Sequence, residues 1–134
     1  MTVAVTAGNP GVSPRDREWL ARLQVVARDL PKVSNQRIAA ALVEGRSLLG
    51  MGVNSYKSHP LQQKYSRNPQ AIYMHAEIAA IVAALRGLRE YHHLGRSTMY
   101  VARVGSGGEA RLARPCEGCM RALRAFEIGR IIYT

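Results

Sequence analysis

The stretch "IYMHAEIAAIVAAL" (residues 72–85) decides the fold, because it joins a buried helix to two ionisable groups at its start. Residues 78–85 are apolar on every side, which is typical of a helix covered by other elements. His75 and Glu77 precede them, two positions apart. Residues i and i+2 of a regular helix point in nearly opposite directions. Both side chains can therefore reach one site only if His75 lies just before the first turn and Glu77 lies within it.

A pair of cysteines offers partners for these two groups. The segment "RPCEGCM" (residues 114–120) places Cys116 and Cys119 three positions apart, on one face of a helix that begins after a proline. A helix N-terminus lowers the pKa of a thiol, and the thiolate is the form that binds metal. A C-x-x-C pair alone also fits a redox pair. One imidazole with two thiolates indicates Zn²⁺, with a fourth position left for water, and Glu77 is placed to move a proton there.

The surrounding sequence alternates strands with helices. "SPRDREWLARLQVVARDL" predicts a helix over residues 14–29, with Ser13 as its N-cap and Pro14 in its first turn. Residues 37–56 predict a hairpin of two strands. The other predicted elements are a loop at 57–69, the buried helix ending near Gly87, a strand at 97–104, a turn with a short return arm at 105–114, a helix at 116–126 and a strand at 130–134. This order favours neighbouring parallel strands with helices packed on the faces.

Composition limits the class of protein. The 134 residues predict a flexible N-terminal tail over residues 1–13 and a single domain over residues 14–134. A net charge of +10 favours anionic partners such as nucleotides or nucleic acid, whereas 6% aromatic residues do not indicate a broad base-stacking surface. No stretch has the length of a membrane span, and the start does not read as a secretory signal. We therefore expect a cytoplasmic protein with no membrane partner.

The "HAE" of residues 75–77 and the "PCEGC" of residues 115–119 match the zinc-deaminase signature H-x-E…P-C-x-x-C. Over residues 14–134 the chain resembles the cytidine and deoxycytidylate deaminase superfamily. The resemblance implies an α/β protein with a three-layer α/β/α cytidine-deaminase-like fold, whose mixed sheet has an antiparallel first hairpin. Relatives usually continue with a fifth strand. The end at Thr134 therefore predicts a sheet without that strand, and a homo-oligomer that covers the edge.

The resemblance also assigns roles to residues. It implies that His75, Cys116 and Cys119 hold zinc. It implies that Glu77 is the general acid and base, which passes a proton to the ring nitrogen and then to the leaving amine. Backbone amides near Ala76 and Cys116 would then stabilise the tetrahedral intermediate.

A polar segment after the second predicted strand is the expected substrate contact. Asn54 lies where relatives often carry an asparagine that contacts sugar or base, although a turn residue ending a strand is the alternative. Tyr56, Lys57, Ser58 and His59 follow it. Lys57 as a charge and Ser58 as a donor could hold a 5′-phosphate. The alternative is a solvated loop with no such role.

The expected reaction is the zinc-dependent deamination of a small-molecule cytosine nucleotide, dCMP to dUMP, with release of ammonia. One alternative keeps the chemistry but takes a base in single-stranded DNA or tRNA, which the positive charge supports. Another takes a purine nucleotide. A third is a non-enzymatic nucleic-acid-binding module with a structural zinc, which needs a fourth ligand from His59, His92 or His93; the last two are expected at the surface.

Overall fold

A computed structural model describes residues 2–66, 73–88 and 94–134. The chain forms, in order, β1 (Val3–Thr6), α1 (Pro14–Arg28), β2 (Arg37–Glu44), β3 (Ser47–Val53), α2 (Pro60–Tyr65), α3 (Ala76–Gly87), a 3₁₀ turn (Leu94–Arg96), β4 (Ser97–Val104), β5 (Ala110–Arg111), α4 (Glu117–Ala125) and β6 (Arg130–Tyr133). The strand order is β1-β6-β4-β2-β3, and β5 pairs with the end of β4. None of the helices in the described ranges has the length and apolar character needed to cross a membrane.

The sheet separates two helical layers, as the predicted α/β/α architecture requires. On β2, Ala39 and Ala41 face the core that α1 covers, whereas Ala40 and Leu42 face the core that α3 covers. Successive side chains of a strand point to opposite faces, so a continuous apolar run is what a strand covered on both sides needs. The antiparallel pairs β2–β3 and β2–β4 and the parallel pairs β4–β6 and β1–β6 make the sheet mixed.

The start of α1 is tied to the sheet through one buried carboxylate. Ser13 Oγ accepts from the Asp16 backbone N–H at 3.1 Å, and Asp16 Oδ2 accepts from the Ser13 N–H at 2.8 Å. Asp16 also accepts from the Tyr100 hydroxyl at 2.6 Å and from the Arg130 guanidinium at 2.9 Å. Burial acts to raise the pKa of Asp16, but the hydrogen bonds from Tyr100, Ser13 and Arg130 outweigh it and lower the pKa to about 2. The predicted Ser13 cap is confirmed, and it has a second function in joining α1 to β4 and β6.

The expected flexible tail is wrong for residues 3–6, and so is the expectation of a sheet without a fifth strand. Residues 3–6 form β1, which lies at one edge of the sheet beside β6. It pairs in parallel with β6, with Val3 opposite Arg130 and Thr6 opposite Tyr133. The sheet therefore has a fifth long strand, supplied by the N-terminal segment. Four residues are too few for a sequence pattern to distinguish a strand from a loose tail, and the pairing partner lies more than a hundred residues away.

The predicted loop over residues 57–69 is wrong for its central part, which is α2. His59 is the N-cap, and its Nδ1 accepts from the Leu61 backbone N–H at 3.0 Å. Pro60 occupies the first helical position, where its missing N–H has no cost. A proline in a polar segment predicts irregular structure, whereas Pro60 begins a helix here. Residues 67–69 lie outside the described ranges.

Helix α3 lies unusually close to β3 because two glycines face it. A Cβ at Gly50 would come within 3.0 Å of the Ala80 and Ala84 backbone, and one at Gly52 would come within 3.0 Å of the Ala80 and Ala76 backbone. Such distances are closer than real Cβ atoms approach, so any side chain there would push the helix outward. The alternation "LGMGV" in β3 thus fixes the height of α3 above the sheet, and with it the height of His75.

We predict that Gly52→Ala lowers the free energy of unfolding by about 1–3 kcal/mol, because the added methyl group overpacks the contact with α3. It should also weaken zinc binding, because the start of α3 moves. Gly87→Ala is the matched control: nothing lies within 4 Å of a Cβ at that position. That variant should be unchanged or slightly more stable. Urea denaturation and zinc titration of both variants test the prediction, and equal effects of the two would contradict it.

Candidate metal centre and substrate cavity

The starts of α3 and α4 meet at one point. His75 is the N-cap of α3, with φ −80° and ψ 153°, and Cys116 is the N-cap of α4, with φ −65° and ψ 168°. The His75 side chain makes no capping bond and is free to turn toward the cysteines. Its Nδ1 lies 3.2 Å from Cys119 Sγ and 3.6 Å from Cys116 Sγ. The expected convergence of the two helix starts is therefore present in the fold.

The three donor atoms fit a zinc ion. All of them lie within 4.8 Å of one another. Zinc bonds of about 2.0–2.1 Å to nitrogen and about 2.3 Å to sulfur, arranged tetrahedrally, place neighbouring donors roughly 3.5–3.8 Å apart. The His75 Nδ1 atom, at 3.2 Å and 3.6 Å from the two sulfur atoms, needs only small shifts to meet that geometry. Cys119 is buried and Cys116 is exposed, so the group is fixed on one side and open on the other.

The site also prepares one thiolate. Hydrogen bonding with Cys119 and then with His75 lowers the pKa of Cys116 to about 4, against the opposing effect of its partial burial. The hydrogen bond with Cys116 raises the pKa of His75, and the interaction with Cys116 together with burial raises the pKa of Cys119. These shifts favour the thiolate form of Cys116, and a bound metal ion would favour loss of the proton from Cys119 as well.

No fourth protein ligand joins this group in the described part of the chain, where it contains His75, Cys116 and Cys119 alone. His59, one of the three candidates, uses its Nδ1 to cap α2. His92 and His93, the other two, lie outside the described residues, as does their expected surface position. Three protein donors with an open side are typical of a catalytic zinc site, since structural sites usually close with four.

A buried glutamine that the sequence analysis missed holds His75 in place. The Gln62 side chain is 2% exposed, and its Oε1 accepts from the His75 backbone N–H at 2.9 Å. Its Nε2 donates to Ser66 Oγ at 3.0 Å, so both ends of the amide are used. Pro60 is the sequence signal that could have identified Gln62, because proline is common at the first position of a helix. In the helix that begins there, Gln62 is buried and Gln63 is exposed.

The chain before His75 is fixed to the end of β3. The Ser55 N–H donates to the Met74 carbonyl at 3.0 Å, and the Met74 N–H donates to the Lys57 carbonyl at 2.8 Å. These two bonds hold residues 73–75 in an extended path beside the segment that follows β3. His75 is thus positioned from both sides, by this bridge and by Gln62.

Glu77 faces the cavity beside the metal group. The cavity has a volume of about 280 Å³, and Glu77, His75 and Cys116 all line it. Glu77 is 5% exposed, and this burial raises the pKa of its carboxyl group above the usual value. A raised pKa makes a carboxylate a better proton acceptor than it is in water, which is the direction that general acid–base catalysis uses.

Asn54 lines the cavity, as expected for a substrate contact, but its amide is already engaged. Its Oδ1 accepts from the Ile38 N–H at 3.0 Å, and its Nδ2 donates to the Gln36 carbonyl at 3.0 Å. Its observed contacts therefore order the segment between α1 and β2. Ser34 and Asn35 in that segment have positive φ angles of 52° and 63°, a conformation that needs such support.

The other expected substrate residues do not line this cavity in the described part of the chain. Tyr56, Lys57 and Ser58 lie beyond its edge, and Ala76 is buried at the start of α3. Tyr56 instead packs edge-on against Tyr73, with ring centroids 5.0 Å apart. Tyr73 does line the cavity. The phosphate role expected of Lys57 and Ser58 thus has no support from their placement, and it stays a prediction.

Several lining residues were not singled out from sequence. They come from the segment before β2 and its first residues, the segment before α3, the end of β4 and the segment before α4. They are Val33, Ser34, Gln36, Ile38, Tyr73, Met74, Val101, Arg103, Leu112, Ala113 and Arg114. The sequence could have identified one of them, Arg103, as a cavity residue. Because side chains alternate along a strand, Arg103 lies on the same face of β4 as the buried Val101 and Met99. A charged residue that continues an apolar face marks the point where that face meets a cavity.

Comparisons with known proteins identify the fold. Residues 13–134 match the family described as the cytidine and deoxycytidylate deaminase zinc-binding region. No curated protein matches the sequence. Among solved structures, dCMP deaminase from cyanophage S-TIM5 is 17% identical with a TM-score of 0.60, covering 90% of this chain and 83% of that one.

Two other solved structures are similar to a comparable degree. Guanine deaminase from Bacillus subtilis is 20% identical with a TM-score of 0.58, covering 88% of this chain and 62% of that one. A structure from a study of A-to-I editing by tRNA:A34 deaminases is 21% identical with a TM-score of 0.53, covering 88% and 75%. At these identities the likeness confirms the cytidine-deaminase-like fold, and the different bases named leave the substrate open.

We predict that Gln62→Ala weakens zinc binding by about tenfold and lowers the free energy of unfolding by about 1–3 kcal/mol, because the buried His75 N–H loses its acceptor. Gln63→Ala is the matched control, since Gln63 is exposed on the same short helix. It should leave zinc affinity and stability unchanged. Competition of each variant with a zinc-binding dye and urea denaturation give the two readouts, and zinc affinity unchanged in Gln62→Ala would remove its positioning role.

Proposed function

Because the chain belongs to the cytidine and deoxycytidylate deaminase family, whose zinc-binding region it matches over residues 13–134, we propose that it deaminates a cytosine nucleotide. The reaction would convert dCMP to dUMP, with water as co-substrate and ammonia as product. The observation that carries the proposal is the placement of Glu77. This buried carboxyl group lines a cavity of about 280 Å³ together with His75 and Cys116, and a nucleobase would have to enter that cavity to reach them.

His75, Cys116 and Cys119 would hold the zinc ion. When bound, Zn²⁺ acts as a Lewis acid that makes water a competent nucleophile near neutral pH. Glu77 would accept a proton from the attacking water and deliver it to the ring nitrogen. It would then accept the second proton, from the hydroxyl group that the water has added to the base, and deliver it to the leaving amine. The starts of α3 and α4 meet at this group. Backbone N–H groups near Ala76 and Cys116 would stabilise the charge that develops on oxygen.

Two observations support a free cytosine nucleotide as the substrate. A solved structure of the cyanophage S-TIM5 enzyme, 18% identical with a TM-score of 0.57, holds dCMP and dUMP. The cavity of this chain has cationic walls, with Arg103 and Arg114 among its lining residues and Glu77 as the acidic one among those described. An anionic substrate suits that balance better than a neutral base.

A base within a polynucleotide is the second candidate, and the mouth of the cavity favours it. Tyr73 and Leu112 line the cavity and are 44% and 63% exposed, and Tyr56 packs on Tyr73 at 61% exposure. Exposed aromatic rings beside a base-sized cavity can stack on flanking nucleotides. Pyrimidine and purine bases in single-stranded DNA or tRNA therefore belong in the test.

The homo-oligomer and the cytoplasmic location stay predictions. The homo-oligomer was expected to cover the edge of the last strand, but β1 already pairs with that strand.

A substrate panel with the zinc-loaded protein tests the proposal. Ammonia release and the change in ultraviolet absorbance should be measured on dCMP, dCTP, deoxycytidine, cytosine, guanine, and oligonucleotides that contain deoxycytidine or adenosine. We expect turnover of dCMP at a higher kcat/KM than any other compound. Turnover of the oligonucleotides alone would transfer the function to the second candidate. Turnover of guanine alone would refute a cytosine substrate.

We predict that Glu77→Gln retains zinc and lowers kcat by at least about a thousandfold, because the amide keeps the shape of the side chain but cannot accept a proton. Glu18→Gln is the control, since that carboxylate is exposed in α1 and pairs only with Arg22 among the described residues. It should retain both zinc and activity. Zinc content measured by atomic absorption, together with ammonia release, separates loss of chemistry from loss of metal. Activity retained by Glu77→Gln would remove Glu77 from the mechanism.

We predict that Cys119→Ala loses zinc, and that its free energy of unfolding falls to that of the wild-type protein treated with a chelator, because metal binding is coupled to folding. Met120→Ala serves as the control for simple loss of packing, since Met120 contacts the core from the next position of α4. It should lose some stability and keep its zinc. Stoichiometric zinc in Cys119→Ala would refute the ligand assignment.

A further inference from the structure

A second, strongly basic cavity adjoins the first. It has a volume of about 170 Å³ and lies between the segment after α1 and the turn from β4 to β5. Four of its lining residues are cationic, namely Lys32, Arg37, Arg103 and Arg111, and we call them the basic cluster. Arg103 lines both cavities, so the basic cluster borders the space in which the proposed reaction occurs.

Within the described residues, three of the four side chains in the basic cluster form no ion pair. Arg111 pairs with Glu109 at 2.8 Å, and within the described residues this is the single ion pair that the four side chains form. Lys32 donates to Ser106 Oγ at 3.3 Å, which is a neutral partner. Arg103 and Arg111 stand directly opposite each other in the antiparallel β4–β5 ladder. Like charges at such positions destabilise a sheet, and a bound anion would remove that cost.

Arg37 adds an independent observation. Its Nε atom is buried, and it is the one buried side-chain nitrogen or oxygen in the described part of the chain that has no hydrogen-bond partner. Leaving a buried donor unpaired lowers stability, and the cost is larger when the group is charged. Guanidinium groups match the oxygen atoms of phosphate in geometry and charge. An anion that brings oxygen atoms to this cavity would satisfy that donor.

We propose that the basic cluster binds a phosphate group of the substrate, so that the enzyme acts on a nucleotide in preference to a nucleoside or a free base. The inference rests on the proposed deaminase function. The phosphate would lie at the start of β2 and the end of β4, away from the segment with Lys57 and Ser58 that the sequence suggested. The expected ligand is the phosphate monoester of a free nucleotide. A phosphodiester of a polynucleotide has similar chemistry, and the experiments below distinguish the two.

The first experiment measures binding without turnover. Inorganic phosphate is titrated calorimetrically into the zinc-loaded protein at constant ionic strength, so that general charge screening does not change. Arg37→Gln, Arg103→Gln and the exposed Arg111→Gln remove one charge each from the basic cluster. Arg46→Gln is the matched control, because Arg46 lies in the turn at the opposite end of β2. Lys57→Gln tests the competing location.

We expect wild type, Arg46→Gln and Lys57→Gln to bind phosphate with the same affinity, and the three substitutions in the basic cluster to weaken it by about tenfold each. Arg111→Gln keeps the test decisive if Arg37→Gln fails to fold, because its side chain is largely in solvent. Absence of phosphate binding in the wild type, equal affinity in all variants, or a loss confined to Lys57→Gln would overturn the proposal.

The second experiment uses kinetics. Arg111→Gln, which changes a residue that lines the second cavity and not the first, should raise KM for dCMP by about tenfold with little change in kcat, and leave kcat/KM for deoxycytidine unchanged. An equal loss on both compounds would overturn the proposal. Deamination of an oligonucleotide without terminal phosphates, combined with no turnover of dCMP, would overturn its free-nucleotide form. If no cytosine compound turns over while phosphate binding still depends on the basic cluster, the proposed function fails and the phosphate site stands.

Discussion

The close approach of α3 to β3 is the constraint on which the rest of the structure depends. Gly50 and Gly52 leave no side chain between the strand and the helix, so backbone meets backbone at Ala80. This contact fixes the distance of α3 from the sheet, since protein interiors yield little to compression. His75 and Glu77 lie at the start of that helix. The positions of His75 and Glu77 relative to the strands therefore depend on the contact of Gly50 and Gly52 with α3, in which neither side chain takes part.

A second close approach sets the cysteines. A Cβ at Gly118 would meet the Tyr65 carbonyl at the end of α2, so α4 can begin only where its second helical residue has no side chain. The same α2 carries Gln62, which holds the His75 backbone. One short helix thus positions both sides of the metal group. This explains how two ligand-bearing segments forty residues apart in sequence reach distances of 3.2 and 3.6 Å between donor atoms.

Charge is distributed in a way that suits the proposed reaction. The buried Glu77 carboxyl group lies beside the metal donors. Arg37 and Arg103, which form no ion pair within the described residues, line the neighbouring cavity at the start of β2 and the end of β4. A negatively charged substrate would be attracted by these cations while its base reaches the Glu77 carboxyl group. The carboxylate of Asp16, on the opposite layer, is fully used in joining α1 to β4 and β6, so it takes no part in this arrangement.

The sequence by itself determined the chemistry and most of the elements. Ser13 and Pro14 began α1, the apolar run after Glu77 gave α3, and the HAE and PCEGC motifs identified the metal group, because each of these signals is local and its residue types serve few other purposes. Tertiary structure decided the rest. Strand β1 forms by pairing with β6. Gln62 binds the His75 backbone because α2 packs against the start of α3, and Asn54 accepts a hydrogen bond from the Ile38 backbone. The basic cluster likewise joins residues from three separate segments. Such contacts depend on which distant segments meet, and a pattern of neighbouring residues holds no information about that.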